Sequence, residues 1–482
     1  MAAAERMSRV DTAWLRMDTE QNLMMIVGVW TLRPRLSLKD LRQRVEERLL
    51  QYRRFRQKVV EDALGAQWVD DEDFDINRHV VPGSLKPRRG QSLQQALQER
   101  VGALCAEPLD PAHPLWQFEL VEDLQGESAL IARIHHCIAD GVALITVMLS
   151  ITDGGTPPPK RRGREPAPED DHDWLADALL KPITGLTIKA IGVSGSAMSK
   201  GVDLMMAADH PLDHSLQAAK VGYQAVSDVA TLALMSDDAS TSLKGKPGGI
   251  KRVAWDDGLP LDAVKAVGKG FNCSVNDVLL SCVAGAIGRY LRSRGEDVEG
   301  KEIRAMVPVN LRPPAKAYEL GNRFGLVPLV LPIGIANPVE RLYAVRARMQ
   351  ELKGSFLPIM AFGLLSVAGL LIKPVQHAML NIFAKKATAV MTNVPGPSQP
   401  LKFCGATLDR VMFWVPQSGD IGMGVSILTY AGKVQFGLIT DERLCPEPQA
   451  VIDEFAPEFN QLLMLALMLP WGEDELSALD AA

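Results

Sequence analysis

The chain has 482 residues, which at the usual domain size of about 100–200 residues predicts two domains. Hydrophobic residues make up 47% and charged residues 23%, a balance that excludes a disordered protein, and the net charge of −6 argues against a nucleic-acid-binding protein. Six scattered cysteines without a CxxC pair exclude a disulfide scaffold and a zinc ribbon. The opening MAAAERMSRVD has no apolar core, so we expect no signal peptide and a cytoplasmic location.

The first half of the chain alternates strand-like and helix-like segments. Short apolar runs rich in branched residues predict strands, and apolar residues at a spacing of three or four predict helices. The predicted strands are Met24–Leu32, Gln67–Val69, Trp116–Val121 and Ala129–His135, and the predicted helices are Leu38–Leu50, Gln91–Cys105 and Gly141–Ile151.

A break in composition follows this half. Residues 155–173 carry three consecutive prolines and clusters of basic and acidic side chains, with no apolar residue larger than alanine. Such a segment cannot bury enough surface to offset its ordering entropy, so it predicts an exposed linker. Residues 174–235 are rich in Ala, Met and Ser and predict a mostly helical crossover. We therefore expect domains at 1–154 and 241–482, joined by a linker and crossover at 155–240.

The second half repeats the mixture of elements. Helices are predicted near Leu261–Lys269 and Val275–Arg292, and strands at Ile303–Val309, Leu326–Leu331, Ala389–Asn393, Val425–Tyr430 and Lys433–Ile439. Strands interleaved with helices in both halves indicate an α/β or α+β protein.

One segment stands out by its hydrophobicity. Gly354–Ile372 holds 19 residues without a charge, long enough for a transmembrane helix. Pro358, Gly363 and Gly369 interrupt it, and a globular segment follows on its C-terminal side. A buried helix is the simplest interpretation, and a helix at a membrane surface or lining a lipid tunnel is the main alternative.

The strongest local motif lies where a predicted strand meets a predicted helix. His135 and His136 end the strand, and Asp140 and Gly141 open the helix. Adjacent side chains on an extended chain point to opposite faces, so the two imidazoles are poorly placed to hold one metal ion. One of them can face a cleft while the other is packed behind it. The chain has no GxSxG, GxxxxGK[ST], HExxH or strand-borne GxGxxG motif, which leaves a histidine general base as the simplest chemistry.

The run HHCIADG at 135–141 closely resembles the HHxxxDG motif of the CoA-dependent acyltransferase superfamily, which includes chloramphenicol acetyltransferase and peptide-synthetase condensation domains. Further stretches narrow the resemblance. Together and in this order, they are similar to the bacterial bifunctional wax ester synthase/diacylglycerol acyltransferase family: Pro114–Trp116, Ser274–Val278, Met306–Arg312, Gly321–Gly325 and Asn393–Pro397. The resemblance extends from about residue 14 to about residue 465.

This resemblance implies two chloramphenicol-acetyltransferase-like domains, each a mixed sheet with helices, and an active-site tunnel at their interface. It implies His136 as general base, with His135 and Asp140 holding the geometry, Asp140 through an arginine. Asn276 and Asp277 become candidates for holding substrate or oxyanion, although a helix-capping pair is the simpler interpretation of those two residues. The remaining motif residues are expected to be structural: Pro114, Trp116, Gly141, Asn393, Pro395 and Gly396.

The reaction implied is transfer of a long-chain acyl group from acyl-CoA to a fatty alcohol or to diacylglycerol, with no metal, no cofactor and no covalent intermediate. A peripheral position on the inner face of the membrane or on lipid inclusions is expected. Two alternatives stay open from the sequence. One is a superfamily acyltransferase that esterifies a polyketide or glycolipid alcohol, and the other is a non-catalytic lipid-binding protein.

Overall fold

A computed structural model describes residues 4–62, 65–155, 235–312, 320–352, 357–368 and 373–469. Within these ranges the strands form three sheets and helices cover their faces. The expected linker and helical crossover at 155–240 lie almost entirely outside the described residues.

The strands are numbered in chain order. They are β1 (Glu5–Arg6), β2 (Met25–Arg33), β3 (Gln57–Asp62), β4 (Gly65–Asp70), β5 (Val80–Gly83), β6 (Trp116–Leu124), β7 (Glu127–His135), β8 (Lys251–Trp255), β9 (Leu259–Pro260), β10 (Ile303–Asn310), β11 (Phe324–Leu331), β12 (Ala389–Pro395), β13 (Lys402–Phe403), β14 (Ala406–Trp414), β15 (Met423–Tyr430) and β16 (Lys433–Asp441).

The α-helices are numbered in the same way. They are α1 (Arg9–Arg16), α2 (Leu38–Glu47), α3 (Ile76–His79), α4 (Leu93–Cys105), α5 (Gly141–Ser150), α6 (Leu261–Gly270), α7 (Val275–Ser293), α8 (Pro338–Leu352), α9 (Leu357–Ala368), α10 (Lys373–Ala384) and α11 (Pro448–Leu467), and two short 3-10 helices span Leu49–Gln51 and Arg53–Arg56.

The first large sheet has the strand order β13-β14-β2-β7-β6-β5, with β5 and β6 parallel and the other pairs antiparallel. Its central strands are apolar on both faces. In β2, Met25, Val27 and Val29 pack in one core cluster, which α4 covers, and Ile26 and Trp30 pack in another, which contains residues of α1, α2 and α5. Burial on both faces explains why these strands are continuous apolar runs without polar alternation.

The second large sheet has the order β11-β10-β12-β15-β16-β8, with β9 paired to β16. β12 runs parallel to both β10 and β15, so this sheet is mixed as well. Its core cluster includes residues of α6, α7, α8 and α11. The long helix α7 begins with a capping box in which Ser274 and Asp277 satisfy each other's backbone N–H groups.

The two halves of the chain share the first sheet. β14 pairs with β2 over seven residue positions, although β14 comes from the second half of the sequence. The α/β class and the mixed sheets predicted from the sequence are confirmed, and each predicted strand and helix in the described ranges matches an observed one within a few residues. The domain boundaries at 154 and 241 stay a prediction.

The uncharged segment 354–372 contains α9, whereas residues 354–356 and 369–372 lie outside the described ranges. α9 packs on α1 and β11, and its side chains Phe362 and Leu365 are buried in the core cluster of the first half. Among the described helices, none is long and apolar enough to cross a membrane alone. The bent pair α6 and α7 passes that test by length and composition only.

Candidate active site

The register of β7 separates the two adjacent histidines. Leu130, Ala132 and Ile134 point to the cluster that contains α5, and Ala129 and Ile131 point to the opposite cluster with α4. The backbone N–H of His136 donates to the carbonyl of Met24 at 2.7 Å. The pairing of β7 with β2 therefore continues one residue beyond the two strands, to His136 and Met24. By the alternation of an extended chain, His136 continues the row of Ile134, and His135 lies on the other side.

His135 is held by polar contacts on its own side. Its Nε2 lies 3.3 Å from Oδ2 of Asp18, and its Nδ1 accepts a hydrogen bond from the backbone N–H of Cys137 at 3.1 Å. Burial lowers the pKa of His135, but the Cys137 thiol and the Asp18 carboxylate outweigh it and raise the pKa. The bond from Cys137 requires an unprotonated Nδ1, so this hydrogen bond opposes the raised pKa and favours the neutral tautomer with its proton on Nε2. Asp18 and the backbone thus fix His135 in place.

His136 lies between aromatic rings. The indole of Trp14 is stacked on the imidazole, with ring centroids 4.2 Å apart and planes inclined by 14°, and the Phe324 ring is tilted against it at 5.5 Å. The residue is 3% exposed. This burial lowers the pKa of His136 to about 4, although the Asp140 carboxylate opposes the change. The imidazole is therefore neutral at physiological pH, as a general base must be.

A side-chain amide ties His136 to α1. Nδ2 of Asn322 donates to the backbone carbonyl of His136 at 2.7 Å and to Oδ1 of Asp11 at 2.8 Å, which uses both of its hydrogens. The same carboxylate oxygen accepts the backbone N–H of Asn322 at 2.9 Å. Burial raises the pKa of Asp11 more than the hydrogen bonds from Asn322 lower it, so the pKa of this carboxyl lies above its ordinary value.

Asp140 is the buried junction of the motif. Its Oδ1 accepts the backbone N–H of Ala143 at 2.9 Å as the N-cap of α5, and its Oδ2 lies 2.6 Å from Nη2 of Arg312 and 3.0 Å from the backbone N–H of Arg323. Both side chains of the ion pair are almost fully buried. Arg312 also donates to the carbonyl of Gly321 at 2.7 Å. These contacts engage both carboxylate oxygens and hold the turn between β7 and α5.

An apolar cavity adjoins the row that His136 continues. Its floor comes from alternate residues of β2 and β7, with Gly28 and Ala132 as paired small residues in the middle and Trp30 and Leu130 at the end away from His136. One face of α5 closes it, with residues at helical spacing: Gly141, Leu144, Ile145, Met148 and Leu149. β14, β15 and the turn at Gly396–Pro397 complete the lining, so both halves of the chain contribute.

The candidates on α7 have separate partners. The carboxylate of Asp277 accepts the backbone N–H of Ser274 at 2.8 Å, so it serves as a helix cap, the simpler of the two interpretations. Oδ1 of Asn276 accepts a hydrogen bond from Nδ2 of Asn393 at 2.7 Å. That bond leaves Nδ2 of Asn276 as a hydrogen-bond donor with no partner among the described residues.

The other motif residues shape the backbone. A Cβ at Gly396 would lie 2.5 Å from the carbonyl oxygen of Thr429, so only glycine fits where the chain leaves β12 after Pro395. Trp116 is buried in the core, stacked on His79 and donating through Nε1 to the carbonyl of Phe55 at 2.9 Å. Its backbone N–H bonds to the carbonyl of Pro114 at 2.8 Å.

The sequence alone predicts no role for Trp14, Asp11, Asn322 or Arg312. Asn322 and Arg312 lie in the motif runs GNRFG and MVPVNLR, which marked them as family-like without saying what they touch. α1 has eight residues, too few for a periodic pattern to predict it. In the described part of the chain, no group of three His, Cys, Asp or Glu side chains is placed to hold a metal ion.

Two family models match this chain. The wax ester synthase/diacylglycerol acyltransferase catalytic domain matches residues 7–279, and the corresponding C-terminal domain matches residues 320–463. Among curated proteins, a probable diacylglycerol O-acyltransferase of Mycobacterium tuberculosis is 28% identical over 386 residues, covering 78% of this chain and 77% of that protein. A putative diacylglycerol O-acyltransferase of the same organism is 29% identical over 411 residues, covering 82% and 77%.

Solved structures share the fold at low identity. A wax ester synthase/diacylglycerol acyltransferase from Marinobacter aquaeolei has a TM-score of 0.65 at 19% identity, covering 96% of this chain and all of that one. A trichothecene 15-O-acetyltransferase from Fusarium sporotrichioides has a TM-score of 0.58 at 14% identity, covering 95% and 94%. Because the two family models together match most of its length, the chain belongs to the wax ester synthase/diacylglycerol acyltransferase family and is an acyltransferase.

Proposed function

We propose that the protein transfers a long-chain acyl group from acyl-CoA to the hydroxyl of a diacylglycerol or a fatty alcohol, with His136 as general base. The observation that carries this proposal is the position of a buried, neutral imidazole at the end of a row of apolar residues that lines a cavity. A base next to an apolar cleft suits a reaction between a hydroxyl and an acyl chain, because both substrates carry long hydrocarbon groups.

The proton follows a simple route. Nδ1 of His136 is buried against the protein, so Nε2 is the nitrogen that accepts the hydroxyl proton. The alcohol oxygen attacks the thioester carbonyl and forms a tetrahedral intermediate. Collapse of this intermediate breaks the carbon–sulfur bond, and the imidazolium returns the proton to the departing CoA sulfur. This route requires no metal, no cofactor and no acyl-enzyme.

Asn276 is the proposed donor to substrate or oxyanion. Its Oδ1 is bound by Asn393, which fixes the amide plane and orients its N–H groups away from that strand. A pre-oriented amide stabilises a developing oxyanion without reorganising during the reaction. Asp277 has no part in this mechanism, since its carboxylate caps α7.

The cavity is the proposed site for one hydrocarbon chain. From Ile134 to Leu130 the floor spans four residue-to-residue steps, about 13 Å at the rise of a strand. An extended alkyl chain advances about 1.25 Å per carbon from its bond length and angle, so the floor accommodates about ten methylene groups. Tyr430 presents its ring to the cavity, because its hydroxyl is already bonded to the backbone of Leu401 and Leu408.

We also propose peripheral association with the inner face of the membrane or with lipid inclusions, since the acceptor substrates are lipids. The end of α11 supports this proposal. Met464, Leu467 and Met468 are 60%, 64% and 77% exposed and lie within two turns of one another. Apolar side chains exposed in a cluster favour an interface with lipid. Phe362 and Leu365 of the uncharged segment are buried and are not available for it.

Two assays test the proposed function. Thiol release is measured with palmitoyl-CoA and a panel of hexadecanol, dipalmitoylglycerol and a glycolipid alcohol, and the ester products are identified by mass spectrometry. The proposal expects CoA release that depends on hexadecanol or dipalmitoylglycerol, with wax ester or triacylglycerol as product. Activity confined to the glycolipid alcohol would support the alternative acyltransferase. Binding of the lipids without CoA release would support a lipid-binding protein.

A further inference from the structure

The short helix α1 places one aromatic ring against His136. α1 has a single aromatic residue, Trp14, and its indole lies flat on the imidazole of His136 at 4.2 Å between centroids. Phe324 touches both rings, at 5.6 Å from Trp14 and 5.5 Å from His136. Because Trp14 faces the imidazole nearly in parallel, it restricts rotation of that ring about its side-chain bonds.

Hydrogen bonds anchor α1 at both ends. Ser8 caps its first turn by accepting the backbone N–H of Asp11, and Asn322 binds the Asp11 carboxylate. At its other end Nε2 of Gln376 donates to the carbonyl of Ala13 at 2.8 Å, and His377 contacts the carbonyl of Arg16 at 2.8 Å. An eight-residue helix is unstable by itself, so these contacts determine where Trp14 lies.

Packing alone does not account for a tryptophan at this position. Nε1 of Trp14 is buried and has no hydrogen-bond partner in the described part of the chain. A buried unpaired donor is unfavourable, and a phenylalanine would fill much of the same space without it. The broad face of the indole is what this side chain supplies to His136.

We propose that Trp14 is a positioning residue, whose indole face holds the His136 imidazole in one orientation and excludes water from that side of the ring. Trp14 does not touch the reacting atoms and acts through His136. This inference rests on the proposed role of His136 as base.

Charged and titratable groups near His136 also influence its protonation. Asp140 precedes α5 and is paired with Arg312, His135 lies on the opposite side of the strand, and Asp11 of α1 is bonded to Asn322. A substitution at Trp14 changes none of these groups. A change in the pH profile of a Trp14 variant therefore reports water reaching the imidazole.

The test compares three variants by kcat, KM and the pKa of the acid limb of the pH profile. Trp14→Leu fills much of the volume but removes the ring, so we expect kcat to fall at least tenfold, KM to change less than threefold, and the acid limb to move up by about one pH unit or more, towards the ordinary histidine value. Trp14→Phe keeps a stacked ring and should stay within a few-fold of wild type, with an unchanged acid limb.

Trp116→Leu is the matched control. Trp116 is stacked on His79 at 4.5 Å and 19° and lies on β6, next to β7, so this variant also removes an indole from a buried histidine but keeps the indole that is stacked on His136. We expect lower thermal stability with an unchanged acid limb. Circular dichroism checks that each variant is folded. If Trp14→Leu does not fold, Trp14→Met replaces it, because a flexible side chain fills the space without a flat face.

The proposal is overturned if a folded Trp14→Leu or Trp14→Met enzyme keeps the wild-type kcat and acid limb, or if Trp116→Leu moves the limb equally. Failure of the proposed base is distinguishable, because it would appear as full activity in His136→Ala. Failure of the proposed reaction would appear as no CoA release by the wild-type enzyme with hexadecanol or dipalmitoylglycerol. An inactive His136→Ala together with an unaffected Trp14→Leu would reject the positioning role alone.

Discussion

Replacing Asp140 tests how the turn between β7 and α5 is held. The Asp140 carboxylate caps α5 through Ala143 and pairs with the buried guanidinium of Arg312 at 2.6 Å. Removing one partner of a buried ion pair costs about 3–5 kcal/mol, and losing an N-cap costs about 1 kcal/mol. The free energy of unfolding of Asp140→Ala should therefore be lower by about 4–6 kcal/mol, which is a large part of the 5–15 kcal/mol that is typical of a domain. At about 2–4 °C per kcal/mol for a folding unit of about 200 residues, this lowers the melting temperature by about 10–20 °C.

The assay pairs thermal unfolding with thiol release. Asp140→Asn retains an oxygen that can cap α5 and loses only the charge, so it should be destabilised less than Asp140→Ala. Adding Arg312→Met to Asp140→Asn removes the uncompensated charge and should restore part of the melting temperature. If Asp140→Ala melts like wild type but is inactive, the carboxylate acts directly in the chemistry and the structural account is wrong.

Three further predictions follow from the site. The acid limb of kcat/KM should have a pKa near 4, because burial lowers the pKa of His136 and only the neutral imidazole accepts a proton; a limb at 6.5 or above would contradict this. Trp30→Ala should raise kcat/KM for longer chains relative to shorter ones, since Trp30 closes the end of the cavity away from His136, and an unchanged chain-length profile would place the chain elsewhere. Deleting residues 161–169, expected to be an exposed linker, should leave activity within a few-fold; an inactive but folded deletion variant would reject that expectation.

Much of the fold could be predicted from local patterns. β2, β7, α5 and α7 are long apolar or periodic segments, and the structure has them within a few residues of the predicted bounds. β14 was not predicted, because its apolar and charged residues do not alternate cleanly and its partner β2 lies almost 400 residues earlier in the chain. Pairing at such a separation depends on the tertiary structure and leaves no local signal.

The candidate site was likewise predictable only where it depends on local sequence. Two adjacent histidines on a strand must point to opposite faces, so the sequence predicted that their environments differ. It could not say that Trp14 and Phe324 enclose His136, since these residues are separated by 310 positions and meet only in the folded chain. Asn276 and Asp277 are neighbours in the sequence, but their side chains have different partners, Asn393 and Ser274.

The rate of CoA release in His136→Ala and His135→Ala enzymes tests the central claim most directly. His136→Ala should lose about 10²–10⁴-fold in kcat, because the variant removes the base. It should also lower the melting temperature, since the imidazole is buried between Trp14 and Phe324. His135→Ala should lose less, because that ring lies on the other side of the strand, against Asp18. Near-native turnover in His136→Ala with an inactive His135→Ala would reverse the two roles, and near-native turnover in both would contradict the general-base mechanism.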